Sequence, residues 1–100
     1  MNMQAMLMQA QKIQRELLKA KQELAKQEFT IEKGGAVKVV VFGNKNIKEV
    51  HIDENALNKE DKEMVEEMIV LAINEAFEKI AEADQEINLR ITGRREGIGM

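Results

Sequence analysis

The first 27 residues carry apolar side chains at alternating steps of three and four: Met3, Met6, Ala10, Ile13, Leu17, Ala20 and Leu24, with polar Gln27 closing the series. This is the a/d spacing of a coiled-coil seam, so it predicts a long helix over about 3–27 with a partner helix alongside, and a seam built for self-association. Leu7 and Leu18 widen the stripe, Gln and Lys fill the opposite side, and no proline or glycine interrupts the run before Gly34.

At Glu28 the period changes to two. Phe29, Ile31 and Lys33 alternate with Glu28, Thr30 and Glu32, which predicts a strand over about 28–33. Gly34-Gly35 supplies a hairpin turn. A second strand follows over about 36–43, and its β-branched run Val37, Val39, Val40, Val41 suits a central strand covered on much of both faces. Gly43 to Asn46 forms the next turn, and Ile47 to Asp53 reads as a third strand completing an antiparallel meander. Val50 and Ile52 share the core face, and Ile47 points the other way unless a bulge shifts the register.

Asn58 is the expected N-cap of a second long helix over about 59–89, with Glu60, Asp61 and Glu63 placing negative charge at its dipole's positive end. The apolar residues of this helix wrap around more than one side, including Met64, Val65, Met68, Ile69, Leu71, Ala72, Ile73, Ala76, Phe77 and Ile80. A three-stranded sheet cannot cover that much surface, so a second copy of the chain is the expected cover. The predicted fold class is therefore α+β: a long N-terminal helix, a three-stranded antiparallel sheet and a long C-terminal helix in one domain, homodimeric with a shared core. Residues 93–100, GRREGIGM, are expected to form a tail without fixed structure of its own.

Composition narrows the function. The chain has 100 residues and no cysteine, which excludes disulfides, cysteine-ligated zinc and thiol catalysis. The opening MNMQAMLMQAQK lacks a basic region and a continuous apolar run, so neither a signal peptide nor a membrane span is expected, and a cytoplasmic location fits. The net charge of −3 hides an uneven distribution. Residues 1–27 hold five cations against two acids, residues 58–89 hold ten acids against three lysines, and the last residues turn basic again through Arg90, Arg94 and Arg95, opposed only by Glu96.

Candidate chemistry is sparse. His51 and Asp53 alternate onto one side of a strand, but the chain has no cysteine or serine to act as their nucleophile, and a solvated strand histidine is the simpler reading. A metal site would need three or four converging ligands. The pairs Glu63-Glu67, Glu75-Glu78 and Glu78-Glu82 read as a solvated helix face rather than catalytic carboxylates. No phosphate-binding glycine motif is present. No enzyme activity, cofactor, metal or small-molecule substrate is expected. The basic positions Lys12, Arg15, Lys19 and Lys26 cluster on one side of the first helix and suit DNA phosphates, although lysine is also ordinary on a solvated helix.

The segments MQAMLMQAQKIQRELLKAKQELAKQEFT, GGAVKVVVFGNKNIKEVHID and LNKEDKEMVEEMIVLAINEAFEKI, in that order, closely resemble the YbaB/EbfC family of small bacterial nucleoid-associated proteins. The resemblance runs from about Met3 to Ile80 or beyond, and its most specific parts are Val37 to Val39, Val50-x-Ile52-Asp53, Asp61-Lys62-Glu63 and Ala72-x-Asn74-x-Ala76. It implies a homodimer whose long helices project from a shared β core, binding double-stranded DNA in the nucleoid with little sequence preference and influencing gene expression. Many members end in a proline-containing segment, whereas this chain has no proline.

The expected DNA contacts are Lys12, Arg15, Lys19, Lys26, Arg94 and Arg95. The expected contact between copies comprises Val39, Val41, Met68, Ala72, Asn74, Ala76 and Phe77, with Asn74 as a polar residue that fixes register. The alternative function is a protein-binding adaptor or assembly factor using the Met-rich helix end, Met3, Met6, Leu7 and Met8.

Overall fold

The computed structural model describes residues 2–93. Helix α1 (Met3–Lys26) starts where the Asn2 side chain accepts a hydrogen bond from the Ala5 N–H at 2.7 Å, and Lys26 in its last turn complements the dipole. At Gln27 the backbone becomes extended and leads directly into β1 (Glu28–Lys33), followed by β2 (Val37–Phe42) and β3 (Ile47–Ile52). The sheet is antiparallel in the order β1-β2-β3, so the valine-rich strand is central. Gly34 and Gly35 both take positive φ, and the turn closes as the Ala36 N–H donates to the Lys33 carbonyl.

A bulge at Val40/Val41 sets the register of β3: Ile47 pairs with Val41, Val50 with Val39 and Ile52 with Val37. Cross-strand partners share a face. The bulge therefore brings Ile47 onto the same side as Val50 and Ile52, the shift that alternation alone leaves open.

A short 3-10 turn (Glu54–Ala56) precedes α2 (Lys62–Thr92). Asn58, expected as the N-cap, instead closes the turn just before the helix: its Oδ1 accepts from the Asp61 N–H at 2.9 Å and its Nδ2 donates to Asp61 Oδ2. The helix begins at Lys62 and runs on to Thr92, where Gly93 in the left-handed conformation donates to the Leu89 carbonyl.

Helix α2 lies across β1 and β2 on one face of the sheet. Ala72 and Ala76 are completely buried there, and their short side chains let the helix backbone approach Val37, Val39, Val41 and Ile31 closely. Val65 and Ile80 extend this core toward the two ends of the contact. The Lys33–Glu75 ion pair, 3.2 Å, ties β1 to the helix flank. On the opposite face Val40 is also buried, beside its cross-strand partners Thr30 and Glu49 and, two residues back on its own strand, Lys38. Together these explain the run of valines in β2.

Helix α1 returns antiparallel to the far half of α2. Lys21 pairs with Asp84, Leu24 is buried near Ile80 and Ala83, and Ala20, Leu17 and Ile13 are half-buried. The partner helix for this part of the seam thus belongs to the same chain, because the two helices emerge from the sheet side by side. The resulting molecule is elongated, 69 × 24 × 15 Å.

Candidate nucleic-acid interface

At about 100° per residue, Lys12, Arg15, Lys19 and Lys26 fall within a sector of roughly 60° on α1. Ile13, Leu17, Ala20 and Leu24, which pack toward α2, lie on nearly the opposite side, so all four cations are directed away from α2. Along the helix axis they extend about 21 Å, the rise of about six base pairs of duplex DNA. None of the four has a carboxylate partner among the described residues, whereas Lys21, Lys33, Lys38, Lys48 and Lys62 are each ion-paired. Glu16 and Glu23 border the stripe at the spacing of one helical turn from Lys12 and Lys19.

The helix is seated by the β2–β3 turn. The Gly43 N–H donates to the Gln27 carbonyl at 2.9 Å and the Asn44 N–H to the Ala25 carbonyl at 3.2 Å, so turn amides satisfy carbonyls that a helix end leaves open. Leu24, the best-buried residue of α1, fixes the rotation of the helix about its axis and with it the outward direction of the lysines.

The second helix presents the opposite charge. Glu63, Glu67, Glu78, Glu82 and Glu86 are all exposed on α2, which makes its solvent side repellent to phosphate. Arg90 is a cation that sequence reasoning did not place here: antiparallel packing brings it to a shallow hollow shared with Ala20, Glu23 and Gln27 of α1. No linear pattern connects residues so far apart in the chain. Arg94 and Arg95 lie outside the described residues.

The residues expected between copies divide into two groups. Val39, Val41, Ala72 and Ala76 have no accessible surface in the single chain, since they form the core beneath α2. Met68 and Phe77 are half-buried on the flanks of the helix and Asn74 is exposed. The apolar residues Ile47, Val50 and Val70 are exposed as well, and α2 covers β1 and β2 but leaves much of β3 open.

His51 is exposed on the outer face of the sheet, opposite Lys38. Among the described residues no three His, Cys, Asp or Glu side chains gather into a metal site, and no helix is long and apolar enough to cross a membrane.

Known proteins share both the sequence and the shape. A nucleoid-associated protein of Mycoplasmopsis pulmonis is 44% identical over 91 residues, covering 91% of this chain and 90% of that one. A nucleoid-associated protein of Pelotomaculum thermopropionicum is 40% identical over 95 residues, covering 92% and 89%. The crystal structure of an uncharacterized protein from Helicobacter pylori superposes with a TM-score of 0.75 over 93% of this chain and 99% of that one; at 20% identity it speaks to the fold alone. The sequence model of the YbaB/EbfC DNA-binding family, which is not an enzyme family, matches residues 1–94, and the chain belongs to that family.

Proposed function

We propose that this protein is a nucleoid-associated DNA-binding protein that works as a homodimer and grips duplex DNA through its backbone phosphates. The observation that carries this reading is the stripe of Lys12, Arg15, Lys19 and Lys26: cations on one side of a helix whose other side is held against α2. Contacts of this kind bind any sequence, because phosphates carry no base information. Arg90 adds positive charge near the end of α2, and Arg94 and Arg95 follow it in the sequence. The acidic side of α2 faces away from the DNA and restricts binding to one side of the molecule. The relatives' names support a place in the nucleoid.

The homodimer is supported by the apolar residues Ile47, Val50 and Val70, which a single chain leaves exposed and a second copy would bury together with the open part of half-buried Phe77. Asn74 lies next to these residues on the exposed side of α2 and would set register there.

The test is fluorescence anisotropy with a random-sequence duplex over a range of salt concentrations. The wild type is expected to bind at low salt, with an affinity that falls linearly on a log–log plot. Replacing Lys12, Arg15, Lys19 and Lys26 together by Gln should flatten that slope by about 0.9 for each phosphate no longer neutralised. An unchanged slope in the quadruple variant would remove α1 as the DNA-binding surface.

A further inference from the structure

The seam of α1 is longer than the helix that covers it. Lys21 lies opposite Asp84, and from Asp84 to the end of α2 at Thr92 is as far along the chain as from Lys21 back to Ile13. Ile13 is accordingly the first half-buried residue of α1, and every described residue before it is exposed. Yet the stripe does not stop at Ile13. Met3, Met6 and Ala10 continue the line of Ile13, Leu17, Ala20 and Leu24 with the same three-four spacing, and Leu7 borders it. Met3, Met6 and Leu7 are 84%, 56% and 58% exposed.

We propose that this uncovered end of α1 is a contact surface for the same segment of another copy of the chain, joining molecules through their projecting helix tips. Two features select a second copy. The tip continues a seam that already packs helix against helix, so the side-chain spacing an incoming helix requires is in place. Residues 1–11 also contain no charged side chain, so two tips can meet without like-charge repulsion between side chains, and there is no side-chain cation to hold a phosphate or an anionic surface. The cations begin at Lys12, immediately after the apolar tip. DNA contact and tip contact therefore occupy successive lengths of one helix, and both can be made at once.

The tip is about three turns of helix, roughly 16 Å, well short of what a stable interface needs. It is a weak contact whose effect grows when several molecules are held close together, as along one DNA molecule or between two. The proposal is independent of whether the basic unit is a monomer or a dimer.

Because the natural chain has no cysteine, one introduced thiol reports the contact. Full-length Met6→Cys is treated with a short bismaleimide beside Glu78→Cys, which carries its thiol on the acidic side of α2. The tip variant is expected to give about fivefold or more of the cross-linked pair, rising with protein concentration and again on adding long duplex DNA. Adding Met3→Gln and Leu7→Gln to Met6→Cys should abolish this excess while leaving helix content by circular dichroism and binding to a short duplex unchanged. Equal cross-linking of the tip and control thiols overturns the proposal, as does persistence of the pair in the triple variant. It is also overturned if Met6→Cys cross-links only after residues 94–100 are removed, which would make the chain's own tail the occupant. Failure to bind DNA alongside a normal tip cross-link would count against the DNA-binding reading and leave the tip contact standing.

Discussion

A Cβ on Gly43 would lie 1.8 Å from the carbonyl oxygen of Leu24. The β2–β3 turn and the last turn of α1 thus touch backbone to backbone, at the point where the Gly43 N–H also reaches the Gln27 carbonyl. This contact fixes how α1 leaves the sheet. Glycine is required here for room rather than for an unusual backbone angle.

Gly43→Ala should consequently unseat α1. Neither side of the clash is a flexible side chain, so the strands or the helix must move, and the expected cost is about 2–4 kcal/mol. Urea denaturation should show a clear fall in midpoint, and hydrogen exchange should show amides at Gln27 and Asn44 losing protection first.

The two acids beside the basic stripe oppose phosphate binding. Replacing Glu16 and Glu23 by Gln should tighten DNA binding several-fold at low ionic strength, with the gain shrinking as salt rises, because exposed charges are screened over about 10 Å at 0.1 M. Anisotropy titrations at two salt concentrations would measure it. A gain that persists undiminished at high salt would point to a change in structure instead.

Lys21 offers a control on the same helix. It turns toward α2 and pairs with Asp84, both side chains being about a third exposed, so Lys21→Gln should cost at most about 1 kcal/mol of stability. Its effect on the salt slope of DNA binding should be smaller than that of Lys19→Gln. Equal effects would mean that binding senses total charge rather than the stripe.

Ala76 tests the fit of α2 on the sheet. It is completely buried against the valines of β2, so Ala76→Leu should destabilise by about 1–3 kcal/mol through overpacking, despite leucine's good helix propensity. Thermal unfolding would record the loss. Val70→Asp is the converse: an exposed position that should leave folding nearly unchanged but shift a sedimentation profile toward single chains if the exposed apolar residues join two copies.

The elements and their order follow from local signals. Spacing of three and four in α1, spacing of two in β1, paired glycines at the first turn and consecutive valines in β2 each reflect how side chains project from helix or strand. The clustering of Lys12, Arg15, Lys19 and Lys26 was legible for the same reason, since a helix converts spacing directly into direction. What covers each apolar surface is a different kind of question, settled only on folding. A periodic seam records that Ile13 to Leu24 need a partner, and only the folded chain shows that α2 supplies it. The full burial of Val39, Val41, Ala72 and Ala76 within one chain, the bulge that brings Ile47 to the side of Val50 and the arrival of Arg90 beside α1 likewise depend on residues distant in sequence. So does the stretch of α1 left over once α2 has ended, where a seam that reads as self-associating has no partner among the described residues: it is a difference between two helices, and neither one encodes it alone.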